Sequence, residues 1–565
     1  MGRPACGGNA VSTPAESARG YAVLMTTPCR VVPSLIAALG LALTAAASSH
    51  NFDVVVYGGT AGGVIAAVAA AREGLNTALI EPTSHIGGMV SGGLGYTDVG
   101  KKEVIGGYAY EFYYRVGQHY GMSAFGNDVS WLHEPHVAED VFRQMLAGSG
   151  VTLFEHARLL EKGGVAKRGT RLTEIRMENG DVFAALVFID SSYEGDLMAQ
   201  SSVTWTYGRE SSTLYGESLA GVRGTTPFHQ FVVDIPARDG QGALLPEISA
   251  ASPPPPGSAD KAVQAYNFRV CFSAAADRIP FVKPAAYEPH RYELLTRLIE
   301  ARTKAEGRAP ALGTLLKIDN LPNGATDVNN NGAFSTDYIG GSWDYPNATY
   351  AQRDEIWQAH KNYQAGLFYF LANDPSVPAT IPAEMNSWGL CATEFTDTDH
   401  WPRQLYIRED RRMVGEYVMV QQDLQTNLSK PDSIGMGSYN SDSHNVERIV
   451  SGGLVRNEGD MQVAVKPYQI PYGVMLPKRT EVENLLVPVA FSASHVAYSS
   501  LRMGPQYMIL GQAAGVAATM AIDAKASVQT IDTVALTARL RAQGVVMEYS
   551  PSAQAAALNA ARGRK

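Results

Sequence analysis

Three stretches of this sequence gather residue types that can do chemistry together. The first is Gly58-Gly59-Thr60-Ala61-Gly62-Gly63, set between an apolar run at 52–57 and an Ala-rich run at 64–73. Glycines between a strand and a helix let backbone approach a pyrophosphate, and the helix N-terminus adds positive potential. Gly58 and Gly63 hold the outer glycine positions, while Thr60 stands where the strict pattern has its middle glycine. A second apolar run, 76–80, ends in Glu81. That is about 20 residues on, where a dinucleotide site keeps an acid for the ribose hydroxyls. A carboxylate there disfavours a 2′-phosphate.

The second stretch is Asp190-Ser191-Ser192-Tyr193-Glu194-Gly195-Asp196, which closes an apolar run. A strand returning to the same crevice would bring Asp190 and small residues toward the nucleotide. A capped surface turn explains the pattern as well. The third follows the apolar run 484–489. Ser492, Ser494, His495, Ser499, Ser500 and Arg502 precede Gly504-Pro505, and a small-residue helix then carries Gln512, Ala513 and Gly515. Pro suits the first turn of a helix, where free amides remain for a ligand. His495 is the first candidate for a catalytic base and His444, in a polar loop at 441–445, the second. A hydrogen-bonded loop histidine is the plain alternative for His495.

Other side chains carry weaker signals. Arg408 and Arg412 share a face if 403–424 is a helix. They then either pair with Glu409 or Glu416 or bind an acidic substrate. Tyr338, Trp343, Tyr345 and Trp401 either form a platform for a ring or pack the interior. His85 precedes Gly87-Gly88, a place where either free packing or covalent cofactor attachment is conceivable. No metal is expected. Asp399-His400 lacks partners at ligand spacing, and Asp327, Asn329 and Asn331 lack the closing Glu of a Ca²⁺ loop.

The elements that must hold these groups are readable in part. Helices are expected at 104–119, 135–147, 287–305, 403–424 and 505–526. Strands are expected at 52–57, 76–80, 151–154, 172–177, 182–189 and 485–489, with Asn179-Gly180 as a hairpin turn. Proline- and glycine-rich 251–258 is a surface loop, and 324–350 is a polar, aromatic loop suited to lining a pocket. The reading divides the chain into 1–47 (extension and signal), 50–200 (nucleotide domain, first part), 201–400 (substrate domain), 401–530 (nucleotide domain, last part) and 531–565 (C-terminal helix and tail).

Residues 31–47 are apolar and small, follow Arg30 and end in Ala45-Ala46-Ala47, the pattern of an export signal. That predicts a secreted or extracytoplasmic protein with no membrane span once the signal is removed. Only Cys271 and Cys391 would then remain, as a disulfide or two free thiols. Sequons at Asn347 and Asn427 make a glycoprotein possible. A net charge of -9 with no basic block argues against nucleic acid as a partner, and 45% hydrophobic residues against a disordered chain. The sequence leaves monomer or dimer open.

The chain resembles the FAD-dependent oxidoreductases with a glutathione-reductase-type FAD domain, and within them a secreted branch loosely termed "xanthan lyase"-like. The matching stretches are DVVVYGGTAGGVIAAVAAAREG (53–74), EPTSHIGGMVSGGLGYTD (81–98), FIDSSYEGDLMA (188–199), STDYIGGSWDYP (335–346), RQLYIREDRRMVGEYV (403–418) and SASHVAYSSLRMGPQYMILGQAAGVAA (492–518). The resemblance implies an α/β fold, a Rossmann-like FAD-binding domain with an inserted mixed α+β substrate domain. It implies Gly58, Thr60 and Gly63 at the pyrophosphate and Glu81 at the adenosine ribose. Gly88 and Met89 would lie along the cofactor, and Gln512, Ala513 and Gly515 at the isoalloxazine. The expected activity is oxidation of a hydroxylated or cyclic small molecule (sugar, polyol or secondary metabolite) by hydride transfer to flavin N5. No second dinucleotide motif appears, so reoxidation by O₂ or a diffusible acceptor is expected. The alternatives are a flavin-containing lyase or isomerase, and a carbohydrate-binding protein with a vestigial nucleotide fold.

Overall fold

The computed structural model describes residues 48–125, 128–550 and Gly563. The expected export signal and most of the C-terminal tail lie outside the described residues. The first segment runs β1 (Ser49–Tyr57), α1 (Ala61–Arg72), β2 (Thr77–Ile80), α2 (Gly107–His119), α3 (Pro135–Ala147), β3 (Thr152–Phe154), β4 (Val165–Arg168), β5 (Arg171–Arg176), β6 (Val182–Asp190) and α4 (Asp196–Gln200). The middle holds β7 (Trp205–Thr206), β8 (Phe272–Ser273), α5 (Glu293–Glu306), β9 (Leu316–Asn320), β10 (Thr326–Asn330), α6 (Tyr350–Asn373), α7 (Thr380–Met385) and β11 (Gly389–Leu390). The last segment holds β12 (Arg412–Met413), α8 (Gln421–Gln425), β13 (Ser433–Gly437), β14 (Ser441–Ser443), β15 (Glu447–Ser451), β16 (Leu454–Glu458), β17 (Met461–Val463), β18 (Tyr468–Pro471), β19 (Leu485–Leu486), α9 (His495–Leu501), α10 (Gly504–Ala524) and α11 (Thr533–Ala542).

The main sheet has the order β3-β2-β1-β6-β5-β4, with β19 also on β6. β3, β2, β1, β6 and β19 are parallel, while β5 runs antiparallel to β6 and β4 to β5. Alternation along β1 explains its two faces. Val54 and Val56 pack into the cluster with α1, whereas Val55 and Tyr57 join Phe183, Phe188 and Met198 behind the sheet. α1 is buried on all sides from Ala61 to Ala70 because α10 covers the face that the sheet does not. Each of Val64, Ile65 and Val68 contributes roughly 1.5–3 kcal/mol by leaving water. α10 is long and apolar enough to cross a membrane by length and composition, but here it is a core helix.

Two expectations about local structure change. Residues 403–424 are not one helix: the chain is extended and irregular through β12, and a helix appears only at α8. Every residue from Leu405 to Met413 is buried. A surface helix would leave one face in water, so this stretch instead runs through the interior, with Arg408, Arg411 and Arg412 each paired to a carboxylate. Expected helix 287–305 starts with a 3-10 turn at Pro289–Tyr292 and becomes α-helical only at Glu293, since proline is tolerated in a first turn but not inside. Cys271 and Cys391 form a disulfide beside the β8–β11 pair.

Candidate active site

The β1–α1 turn is held by close backbone contacts. Gly58 has φ +95, and a Cβ on it would lie 2.6 Å from Ser192 N. A Cβ on Gly63 would lie 1.9 Å from Gly58 O, so only glycine lets the helix meet the turn this closely. Thr60 caps α1: its Oγ1 accepts from Gly63 N at 3.2 Å and donates to Ser191 O at 2.8 Å. The threonine thus satisfies one free amide of α1 and itself stands in the crevice lining. Glu81 accepts from Gly59 N at 2.8 Å and from Thr83 N and Oγ1 at 2.8 and 2.7 Å. Burial raises its pKa.

Thr60, Glu81, Ser91 and Gly88 form one wall of a crevice of about 330 Å³, and Asp397 and Arg403 part of the other. A helix N-terminus for a pyrophosphate, a carboxylate for ribose hydroxyls and a side-chain-free backbone between them are the donor set that FAD requires. These residues fit the cofactor. Gly88 has φ +55 and packs on Tyr193, whose Oη accepts from Met89 N at 2.9 Å.

Four other residues expected at the cofactor lie outside the lining of this crevice. Asp190 is spent on its own turn, accepting from Ser192 N at 3.0 Å, Ser192 Oγ at 2.7 Å and Met198 N at 2.7 Å. Burial raises its pKa to about 6. Gln512 Oε1 accepts from Tyr108 N at 2.8 Å and its Nε2 donates to Gln543 at 2.8 Å. Ala513 is buried, and a Cβ on Gly515 would lie 2.5 Å from Ala66 O. Gln512 thus ties α10 to α2, and Gly515 lets it pack on α1; none of the three lines the crevice.

A second cavity of about 360 Å³ is lined by Asp98, Arg269, Tyr406, Asp442 and His444, with His229 at its side. His444 Nδ1 lies 2.6 Å from Asp337 Oδ2, and Arg408 Nη1 lies 3.0 Å from Asp337 Oδ1. Burial alone would raise the Asp337 carboxyl, but Arg408 and His444 hold it down at about 2. Burial and then Arg408 lower the His444 pKa, against the pull of Asp337. The carboxylate fixes the proton on Nδ1 and leaves Nε2 as the acceptor. Arg269 is neutralised by Asp327 through contacts of 2.7 and 2.8 Å.

His495 opens α9 and is buried. Its Nδ1 lies 2.7 Å from Glu210 Oε2, and Glu210 also takes Arg412 at 2.5 Å. It lines neither cavity. The aromatic residues do not gather into one platform. Tyr338 stacks on Tyr363 at 4.7 Å, Trp343 donates to Val446 O at 3.0 Å, and Trp401 packs edge-on to Phe268 at 5.5 Å. Arg408 lies beneath the second cavity rather than in it. Asp327 faces Arg269, so its carboxylate is already matched by a cation. His85 has both ring nitrogens beside carboxylates, Asp397 at 2.8 Å and Glu139 at 3.3 Å. Among the described residues, Glu134, His136 and Glu394 bring ligand atoms within 4.8 Å of one another. His136 Nδ1 bonds Glu394 at 2.5 Å, and Glu134 takes Tyr120 and Asn323.

The residues that sequence reasoning missed are Asp98, Arg269, Asp337, Arg403, Tyr406 and Asp442. They belong to no motif and meet only through folding. Asp98, Asp337, Arg403 and Tyr406 fall inside stretches singled out as GYTD, STDY and RQLY, and Asp442 in the polar loop 441–445, the signals that were present.

The fold and crevice define a Rossmann-type flavoprotein. A family model described as FAD dependent oxidoreductase matches residues 53–540, and the chain belongs to that family. It is an FAD-binding oxidoreductase acting on a small organic substrate. No curated protein matches the chain. Solved structures similar to it include THI4 from Thermovibrio ammonificans, at 17% identity over 28% of this chain and 66% of that one, with a TM-score of 0.21. Glycine oxidase from Geobacillus kaustophilus matches at 14% identity over 28% and 60%, with a TM-score of 0.21. OxyS anhydrotetracycline hydroxylase from Streptomyces rimosus matches at 11% over 34% and 39%, also 0.21. Less than two thirds of each of those chains is covered, and likeness at this level says nothing of substrate.

Proposed function

We propose that the chain oxidises a hydroxylated small molecule, a sugar, polyol or hydroxylated metabolite, in the second cavity, with His444 as the base. The observation that carries this reading is the Asp337–His444 contact of 2.6 Å at the wall of a polar cavity. FAD, when bound, would supply a hydride acceptor at N5, with O₂ or a diffusible acceptor as the final oxidant. His444 Nε2 takes the hydroxyl proton as the C–H bond breaks, and Asp337 stabilises the resulting imidazolium. Carboxylate and phenol groups of Asp98, Asp442, Tyr406 and Tyr439 offer partners for further substrate hydroxyls. His495, tied to Glu210 away from the cavity, serves in this reading as a structural residue. A place outside the cytoplasm, with removal of a signal at 31–47, is supported by the disulfide, which an oxidising compartment maintains. The exposed Asn347 and Asn427 suit glycan attachment. Membership of the secreted "xanthan lyase"-like branch is part of the same proposal.

An anaerobic screen of the flavin-loaded protein against sugars, polyols and phenolic metabolites tests the activity by loss of the flavin's visible band. Bleaching by a hydroxylated compound, slowed about 10²–10⁴-fold in His444→Asn, is the expected result. Turnover with no acceptor and no bleaching would replace this reading with the lyase or isomerase.

A further inference from the structure

We propose that Arg403 is the counter-charge to the FAD pyrophosphate, delivered to the crevice by the disulfide-tied segment 391–404. The crevice needs such a group. FAD brings two phosphate charges, and Glu81 and Asp397 already make the lining acidic. Among the described residues that line it, Arg403 is the one guanidinium. It shares the crevice with Thr60, which caps the helix that faces the pyrophosphate. Arginine matches phosphate geometry with paired donors and keeps its charge at any working pH.

The segment that carries Arg403 is built to hold a fixed position. It starts at Cys391, bonded to Cys271, and Cys391 N donates to Cys271 O at 3.0 Å. Phe395, Asp399 and His400 all have left-handed backbone, with φ of 53, 56 and 60. Non-glycine residues adopt that conformation at a cost, so surrounding bonds must enforce it. Thr398 Oγ1 donates to Trp401 O at 2.7 Å, His400 N to Phe395 O at 2.9 Å, and Trp401 N to Thr398 O at 3.1 Å. Arg403 faces Asp397 at 2.5 Å and Glu139 at 3.2 Å, with the Phe395 ring 5.4 Å beneath its guanidinium, so a bound pyrophosphate would share this cation with two carboxylates that hold it in place. His85 joins Asp397 to the opposite wall. Arg403, Asp397, Glu139 and His85, from three places in the sequence, thus form one hydrogen-bonded cluster beside the crevice. This inference concerns the cofactor and does not depend on the substrate.

The test uses full-length apoprotein titrated with FAD, read by quenching of flavin fluorescence. Arg403→Gln is expected to raise the Kd for FAD at least tenfold and to flatten its dependence on salt, because the screened charge is gone. Arg403→Lys is expected to fall between the two. A Kd for Arg403→Gln within twofold of wild type, or an unchanged salt dependence, overturns the proposal. Should that variant not fold, wild-type holoprotein decides. Reduction of Cys271–Cys391, verified by thiol counting, is expected to speed FAD release at least fivefold, and release at the unreduced rate overturns the delivery by this segment.

Discussion

His444 has one ring nitrogen committed to Asp337, and its usefulness turns on the other. A base works only while neutral. Burial and Arg408 disfavour the imidazolium, so the acid limb of kcat/KM is expected below pH ~6.5, the ordinary histidine value. A limb above pH 7 would point to a different base. His444→Asn is expected to slow anaerobic flavin reduction by about 10²–10⁴-fold while the protein stays yellow. Asp337→Asn removes the carboxylate that favours the imidazolium, so any remaining limb moves to lower pH. Gly63 makes a different kind of point. Its missing Cβ, 1.9 Å from Gly58 O, is what allows the turn to form. Gly63→Ala is expected to yield protein that no longer retains FAD, seen as a colourless preparation.

At the scale of elements, the contact between α1 and α10 decides where the helix N-terminus points. A Cβ on Gly511 would lie 2.1 Å from Gly62 O, in the first turn of α1. Gly511→Ala must push the helices apart or bend one of them. The expected cost is about 1–3 kcal/mol in urea unfolding, together with weaker FAD binding measured by fluorescence. A variant as stable as wild type with unchanged FAD affinity would show that α10 is not what positions α1. Gly515 on the same helix, expected at the isoalloxazine, packs on α1 in the same way, since close approach to a helix and close approach to a ligand ask for the same missing side chain. β5, β6 and the hairpin turn between them were legible because their alternation and turn chemistry are local. The stretch 403–424 was not. Its spacing of arginines imitates a helix face, and only the partners Asp337, Asp196 and Glu210 show that it is buried extended chain.

Across the whole molecule, the disulfide joins residues 120 apart in sequence. The paired Cys271→Ser/Cys391→Ser variant is expected to lose about 2–4 kcal/mol of stability in denaturant unfolding, as removal of a long-loop crosslink does. No loss at all would make the bond incidental to the fold. FAD binds the folded chain, so holoprotein should also melt above apoprotein by an amount that grows with free FAD. The amino-acid sequence by itself determined the β-α-β unit, its glycine turn and Glu81, and through them the cofactor. Those signals are short-range: apolar runs, turn sterics and an acid at a fixed offset along one strand. Only the tertiary structure decided which histidine faces a cavity, which arginine meets a carboxylate and what closes the crevice. His444 and Asp337 lie 107 residues apart, and nothing along the chain between them encodes their meeting. Sequence spacing restricts what a side chain reaches within a helix turn or a strand pair. Across that distance, packing of the entire core makes the choice.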